Sequence, residues 1–234
     1  VVTFQVHTFP ELPSTQTYLR EWAARETIPD GTLVWALHQT QGYGRKGSPW
    51  LSTPGESLTF TFVWTPTPPL QLLTPRVAVA LYETVRPFVR ERLFLKWPND
   101  LWCPTGKLAG LLIELLWQGP TARAFIGIGL NVYQRHFPPT LRAVSLAQIG
   151  EPPPSLQTLL DRFLEIFPAW HAASPPEVVR AFLERLERKG QFKAGWSTWT
   201  GEIVGWDLER GLRLKTPDGL VHVAPGHLEV VWPS

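Results

Sequence analysis

The 234-residue chain has no methionine and one cysteine, Cys103. A single thiol excludes an internal disulfide and any multi-cysteine metal site, and with no activating histidine beside it Cys103 reads as a small buried hydrophobe. Charge is also scarce, at 18% Asp, Glu, Lys and Arg with a net charge of +2. That balance excludes bulk attraction to nucleic acid or to an anionic membrane, so no DNA partner is expected. No apolar run is long enough to span a bilayer and no charged-then-apolar leader opens the chain, so a cytoplasmic address without a membrane is expected. Repeats and low-complexity tracts are missing as well. What remains is 44% apolar residues punctuated by 24 prolines, enough to bury a real core in one large domain with a small appendage.

The chemistry concentrates in Phe94 to Glu114, FLKWPNDLWCPTGKLAGLLIE. Phe94 to Trp97 alternates as a strand, putting Lys96 on one face with Phe94 and Leu95 with Trp97 on the other. Pro98 lacks the N–H of a continuing ladder and Asn99-Asp100 favours a turn. Leu101 to Cys103 reads as a short strand, Pro104-Thr105-Gly106 as its turn and Lys107 to Leu115 as the returning strand, with Lys107 at the hairpin mouth.

Upstream, Val1 to Phe9 is β-prone. Ser14 caps a helix carrying Leu19, Trp22 and Ala23, or else Ser14, Thr15 and Gln16 offer polar groups to a small ligand at that helix start. Thr32 to His38 reads as a strand. The segment from Gln39 to Trp50, QTQGYGRKGSPW, places three glycines among basic and polar residues, a mobile loop able to bring Arg45 and Lys46 to phosphate oxygens. It is neither a Walker A loop nor a Rossmann fingerprint, because the GK[ST] ending and the following helix pattern are missing. Glu56 to Trp64 alternates as a central strand, and Val77 to Val85 marks a core helix that Pro87 kinks or ends.

Ala124 to Val132 is an apolar strand whose Gly127 and Gly129 mark a bulge or the close approach of a ligand ring. Tyr133 to Leu141 reads as a loop. Leu156 to Phe167 forms an amphipathic helix, and Ser174 and Glu177 open another at capping-box spacing, expected to stop at Gly190. Four short strands then follow, Glu202 to Trp206, Leu212 to Thr216, Val221 to Ala224 and Leu228 to Trp232, split by glycine turns into a small barrel-like domain.

As a set, Ser14-Thr15, Gln39 with Gly42-Tyr43-Gly44-Arg45-Lys46-Gly47 and Trp50, KWPND at 96–100, KLAG at 107–110 with Glu114, and GIGLN at 127–131 strongly resemble biotin protein ligase. The resemblance implies an α+β fold: a mixed sheet with flanking helices, related to class II aminoacyl-tRNA synthetases, over residues 1–188, then an SH3-like barrel over 189–234. It implies an ATP-dependent ligase that joins biotin to AMP and passes biotin to a lysine of biotin carboxyl carrier protein. Mg²⁺ is expected to neutralise the departing pyrophosphate.

By the same resemblance Arg45 and Lys107 neutralise the two reacting anions. Unit charges about 4 Å apart repel by about 4 kcal/mol at an effective dielectric of 20, so that task is substantial. Lys96 and Lys46 hold phosphate, and Asn99 and Asp100 orient metal or substrate, or Asp100 takes the acceptor's proton. Ser14, Thr15, Gln16 and Gln39, with backbone of Gly42, Tyr43 and Gly44, meet the ureido end of biotin. Gly110, Gly127 and Gly129 permit close approach, while Trp50, Asn131 and the 133–146 loop serve the adenine side. The family usually has Asn where Gln16 stands and often Arg where Tyr43 stands, so Tyr43 is expected to contribute backbone. No segment for a DNA-binding repressor domain precedes Val1, so a monofunctional ligase is expected, as monomer or homodimer. The alternatives are a lipoate or octanoate ligase or transferase of the same fold and a non-catalytic protein-binding module.

Overall fold

The computed structural model describes residues 3–150, 152–224 and 229–231. In chain order its elements are β1 (Gln5–Phe9), α1 (Thr15–Arg25), β2 (Thr32–Ala36), β3 (Ser57–Trp64), α2 (Leu73–Val85), β4 (Phe94–Lys96), β5 (Asp100–Cys103), β6 (Gly106–Gln118), β7 (Thr121–Asn131), α3 (Leu146–Ile149), α4 (Leu156–Ala172), α5 (Pro175–Arg185), β8 (Lys189–Ala194), β9 (Ser197–Asp207), β10 (Gly211–Thr216), β11 (Gly219–Val223) and β12 (Glu229–Val231). They form a seven-stranded sheet ordered β1-β2-β3-β7-β6-β5-β4 and a five-stranded sheet ordered β11-β10-β9-β8-β12. The first is mixed because β1 runs parallel to β2 while the other pairs are antiparallel. The second is antiparallel throughout.

Period-two alternation sorts the large sheet into two faces. On β3, Phe60, Phe62 and Trp64 point into the main core, where Phe163 and Phe167 of α4 meet them edge-on at 5.1–6.0 Å. Each fully buried phenylalanine contributes about 1.5–3 kcal/mol through removal of apolar surface from water. Val63 on the opposite face packs with Leu19 of α1 and Phe125 of β7. All eight residues of β3 are buried, because α1 covers the face that alternation alone would leave wet.

The two sheets share one core. Trp97, Phe182 and Trp206 contact one another edge-on at 5.4–6.1 Å, joining the β4–β5 turn, α5 and β9.

Several expectations need correction. The helix opened by Ser174 ends at Arg185 rather than Gly190, and Ser174 makes no side-chain cap bond. Leu186 is extended and bridges Leu95, with Glu187 N–H donating to Leu95 O at 2.8 Å, so tertiary pairing with the sheet edge ends the helix before its sequence signal does. Gly190 lies inside β8, a strand missed by the sequence reading. α4 runs to Ala172 with Pro168 inside it. Of the last expected strand, Glu229 to Val231 is a strand, and Leu228 and Trp232 lie outside the described residues.

Candidate active site

A cavity of about 330 Å³ opens on the α1 face of the large sheet, between α1, the 42–50 segment and the β4–β5 turn. Its floor is a hydrogen-bond network of neutral side chains backed by the Glu114 carboxylate. Ser14 is both cap and wall: its hydroxyl accepts from Thr17 N–H at 3.3 Å while its residue lines the cavity. Thr15 donates backbone N–H to Gln39 Oε1 at 2.7 Å and its hydroxyl lies 3.0 Å from the same oxygen. Thr61 Oγ1 sits 2.8 Å from Thr15 Oγ1 and 3.2 Å from Gln16 Oε1. The Gln16 Nε2 group donates to Glu114 Oε2 at 2.9 Å and to Phe125 O at 3.2 Å.

The glycines accommodate these side chains. A Cβ at Gly127 would stand 2.7 Å from Gln16 Oε1, one at Gly129 2.5 Å from Trp50 Cε2, one at Gly110 2.9 Å from Lys107 Nζ and one at Gly42 2.8 Å from Gln39 Nε2. The β7 register is regular on both sides at Gly127 and Gly129, so no bulge explains them. Close approach does: Gln16 stands over Gly127 and the Trp50 ring over Gly129, and both glycines line the cavity.

Within the glycine-rich loop expected from Gln39 to Trp50, residues 42–50 form a small hairpin. Gly44 N–H donates to Ser48 O at 2.7 Å and Trp50 N–H to Gly42 O at 2.8 Å, with Tyr43 bridging Pro49. Its tip turns through Lys46 at φ 56° and Gly47 at φ 73°, and a left-handed conformation at Lys46 is unusual for a side-chain-bearing residue. Arg45 at this tip reaches Asn99 Oδ1 at 3.4 Å, and Asn99 in turn donates to Leu111 O at 2.5 Å. The hairpin thereby meets the sheet at the β4–β5 turn.

Positive charge gathers at this rim. Lys107 Nζ pairs with Asp100 Oδ1 at 2.8 Å and lies 5.8 Å from the Trp50 ring centre. Lys96 stands over the Trp102 ring at 4.3 Å. Burial pushes its ammonium down to about 8; Asp100 works against that shift, while Lys107 and Arg142 add to it. A lysine so placed gives up its proton more readily than a solvated one and is attracted to incoming anions. A β-bulge between Leu101 and Trp102 in the β5–β6 pairing brings Asp100 opposite Gly110, the residue over which the Lys107 head lies.

The sequence profile of the biotin/lipoate A/B protein ligase family matches residues 8–131, more than half of the chain. The chain belongs to that family. A biotin–[acetyl-CoA-carboxylase] ligase of Mycobacterium tuberculosis is 30% identical over 184 residues, covering 73% of this chain and 67% of the relative. A bifunctional ligase/repressor BirA of Bacillus subtilis is 29% identical, covering 94% and 72%. Among solved structures, a biotin protein ligase from Aquifex aeolicus in complex with biotin and ATP superposes with a TM-score of 0.79 at 28% identity, covering 97% of this chain and 98% of that one.

Within this family member, the cavity wall includes Ser14, Thr15, Gln16, Gln39, Tyr43, Gly44, Arg45, Lys46, Trp50, Lys96, Asn99, Asp100, Lys107, Gly110, Gly127 and Gly129. Two predicted residues stand behind it. Gly42 supports Gln39 and Trp50 from the hairpin base. Asn131 is buried, and its amide donates to Val144 O at 3.1 Å and Lys107 O at 3.4 Å, bracing the start of β6 against the 133–146 segment. Thr61 was missed, although its place on the non-aromatic face of TFTF is a period-two signal for it. Glu114 was part of the motif with no role assigned; its bond to Gln16, 98 residues away in sequence, has no local signature.

Proposed function

We propose that this protein is a biotin protein ligase that makes biotinyl-5′-AMP from biotin and ATP and transfers biotin to a lysine of biotin carboxyl carrier protein. The observation that carries this reading is the polarity of the two cavity ends. At the floor, Gln16 Nε2 is committed to Glu114 and Phe125, which leaves Gln16 Oε1 as an acceptor, and Gln39 Oε1 is committed to Thr15, which leaves Gln39 Nε2 as a donor. A cyclic urea offers the complementary N–H and C=O groups. The dithiolane of a lipoyl group and the chain of an octanoyl group offer neither, so the floor favours biotin within a family that also contains lipoate ligases.

Toward the rim the cavity meets Lys107, Lys96, Arg45 and Lys46, where a carboxylate and a triphosphate need neutralising. In the first step a biotin carboxylate oxygen forms a bond to the α-phosphorus and the bond to pyrophosphate breaks. Lys107, held by Asp100, is positioned to sit between the two anions. In the second, the acceptor amine forms an amide with the biotinyl carbon, AMP departs with the bonding pair, and the amine proton passes to a base. Asp100 is the only carboxylate on the cavity wall among the described residues, and its bond to Lys107 favours a holding role over that of a free base. Among the described residues no group of three or more His, Cys, Asp or Glu could hold a metal, so magnesium is expected to enter as the counter-ion of ATP.

We take residues 1–188 as the catalytic unit and 189–234 as an SH3-like unit tied to it through Trp206. No described helix is long and apolar enough to cross a membrane. A cytoplasmic location, the absence of DNA binding and assembly as a homodimer stay part of the proposal. For the dimer, β5 covers β6 only from Gly106 to Gly110, and Leu115 and Trp117 are exposed beyond it. Incubation with ATP, magnesium and either labelled biotin or labelled lipoate tests the reading. Adenylate is expected from biotin alone; adenylate from lipoate, or from neither acid, refutes it.

A further inference from the structure

Nothing in the two reaction steps uses Glu114, yet its carboxylate stands directly behind the cavity wall, bonded to Gln16. Glu114 Oε2 accepts from Gln16 Nε2 at 2.9 Å on its inner side and from Arg20 Nη1 at 3.1 Å on its outer side. Gln16 is 3% exposed while Arg20 and Glu114 side chains are 51% and 32% exposed. The ion pair therefore lies half in solvent and contributes little to folding by itself. Its inner bond acts on something more consequential, the direction in which the Gln16 amide points.

An amide side chain can be rotated end for end with almost no change in shape, so only its partners decide which end faces the ligand. Here the reversed orientation would set Gln16 Oε1 against Glu114 Oε2 and Phe125 O, two acceptor–acceptor contacts, one with a full negative charge. Glu114 has no proton to offer in its ionised form, so it rejects that orientation. The oxygen is thereby kept over Gly127, where no Cβ intrudes. Thr61 has one proton to divide between Thr15 and Gln16, so Gln16 Oε1 retains a lone pair for a ligand.

We propose that Glu114, braced by Arg20, is a positioning residue that fixes the amide of Gln16 with its oxygen toward the cavity and so makes the floor select a ligand presenting an N–H there. This rests on the biotin reading above and names the residue that sets the polarity of its recognition. Glu114 touches no reacting atom, so its influence falls on ligand affinity and discrimination.

The test measures equilibrium binding of biotin and of its two mono-N-methyl ureido analogues to the full chain and to Glu114→Ala and Glu114→Gln, with thermal unfolding of each variant recorded alongside. The alanine variant is expected to lose about tenfold in biotin affinity, the size of one charge-assisted hydrogen bond, and to narrow the preference for biotin over one methylated analogue by a similar factor. The glutamine variant, whose carbonyl can accept the same bond, is expected to keep both within about threefold. The KM for ATP should stay in place while that for biotin rises. If Glu114→Ala unfolds at the wild-type temperature and retains wild-type discrimination, or loses biotin and ATP equally, the inference is overturned while the ligase reading stands. If the wild type does not bind biotin, both fall together.

Discussion

At the floor of the cavity the neutral side chains of Thr15, Gln16, Gln39 and Thr61 bond to one another across α1, β3 and the segment after β2, with Glu114 holding Gln16 from behind, whereas at the rim Lys96, Lys107 and Arg45 crowd positive charge around one carboxylate and one asparagine. The floor is set on the sheet and buried, and its polar groups are already directed. The rim depends partly on a hairpin whose turn passes through a left-handed lysine. The difference teaches a division of labour: recognition of a neutral head group needs fixed donors and acceptors, and joining two anions needs charge that can approach them. A binding defect and a chemical defect should therefore be separable by position.

Lys107→Ala should break the rim while sparing the floor. Adenylate formation is expected to slow by about 10²–10³-fold, typical of removing a group that stabilises transition-state charge, with biotin affinity changed by less than about threefold. Single-turnover kinetics beside calorimetric binding checks this, and equal losses in both would erase the contrast between the two ends. Gly127→Ala should do the reverse. Its Cβ would stand 2.7 Å from Gln16 Oε1, so the buried amide must move, and biotin affinity is expected to fall about ten- to thirtyfold with the KM for ATP unaffected. An ATP defect of similar size would show that floor and rim are one unit.

The smallest effect sharpens the comparison through pH. Lys96 is cationic below its value of about 8 and neutral above it, so attraction for phosphate is present at the lower pH and lost as pH rises through 8. The kcat/KM for ATP should decline a few-fold from roughly pH 7 to 9, reporting the free enzyme. In Lys96→Arg, where the cation keeps its proton across that range, the decline should flatten. Biotin affinity should show no inflection there, because Lys96 takes no part in the floor network.

Much of this was legible in the residue order. KWPND and KLAG marked a strand, a turn and a returning strand, and the structure forms β4, β5 and β6 there. The helix ending at Val85 and the cap at Ser14 were both local signals, and both hold. Local signals failed where a distant partner competed. Gly190 looked like a helix stop, but Leu186 was drawn into pairing with Leu95. Gly127 and Gly129 announced a close approach, and the protein groups that stand over them are Gln16 and Trp50, distant in the chain and brought in by α1 and the hairpin. Asn131 stood in a functional motif yet ties two carbonyls behind the wall.

By itself the sequence determined which residue types were available and their local periodicity: alternation placed threonines on one face of β3 and phenylalanines on the other, and prolines and glycines set most element ends. The tertiary structure decided which of those residues meet. Hydrogen bonds such as Gln16 to Glu114, and the space that Gly110 leaves for Lys107, depend on β-pairing register and on the placement of a helix over a sheet. A shift by one residue would send those side chains to the opposite face, so their roles arise only when the strands are in place.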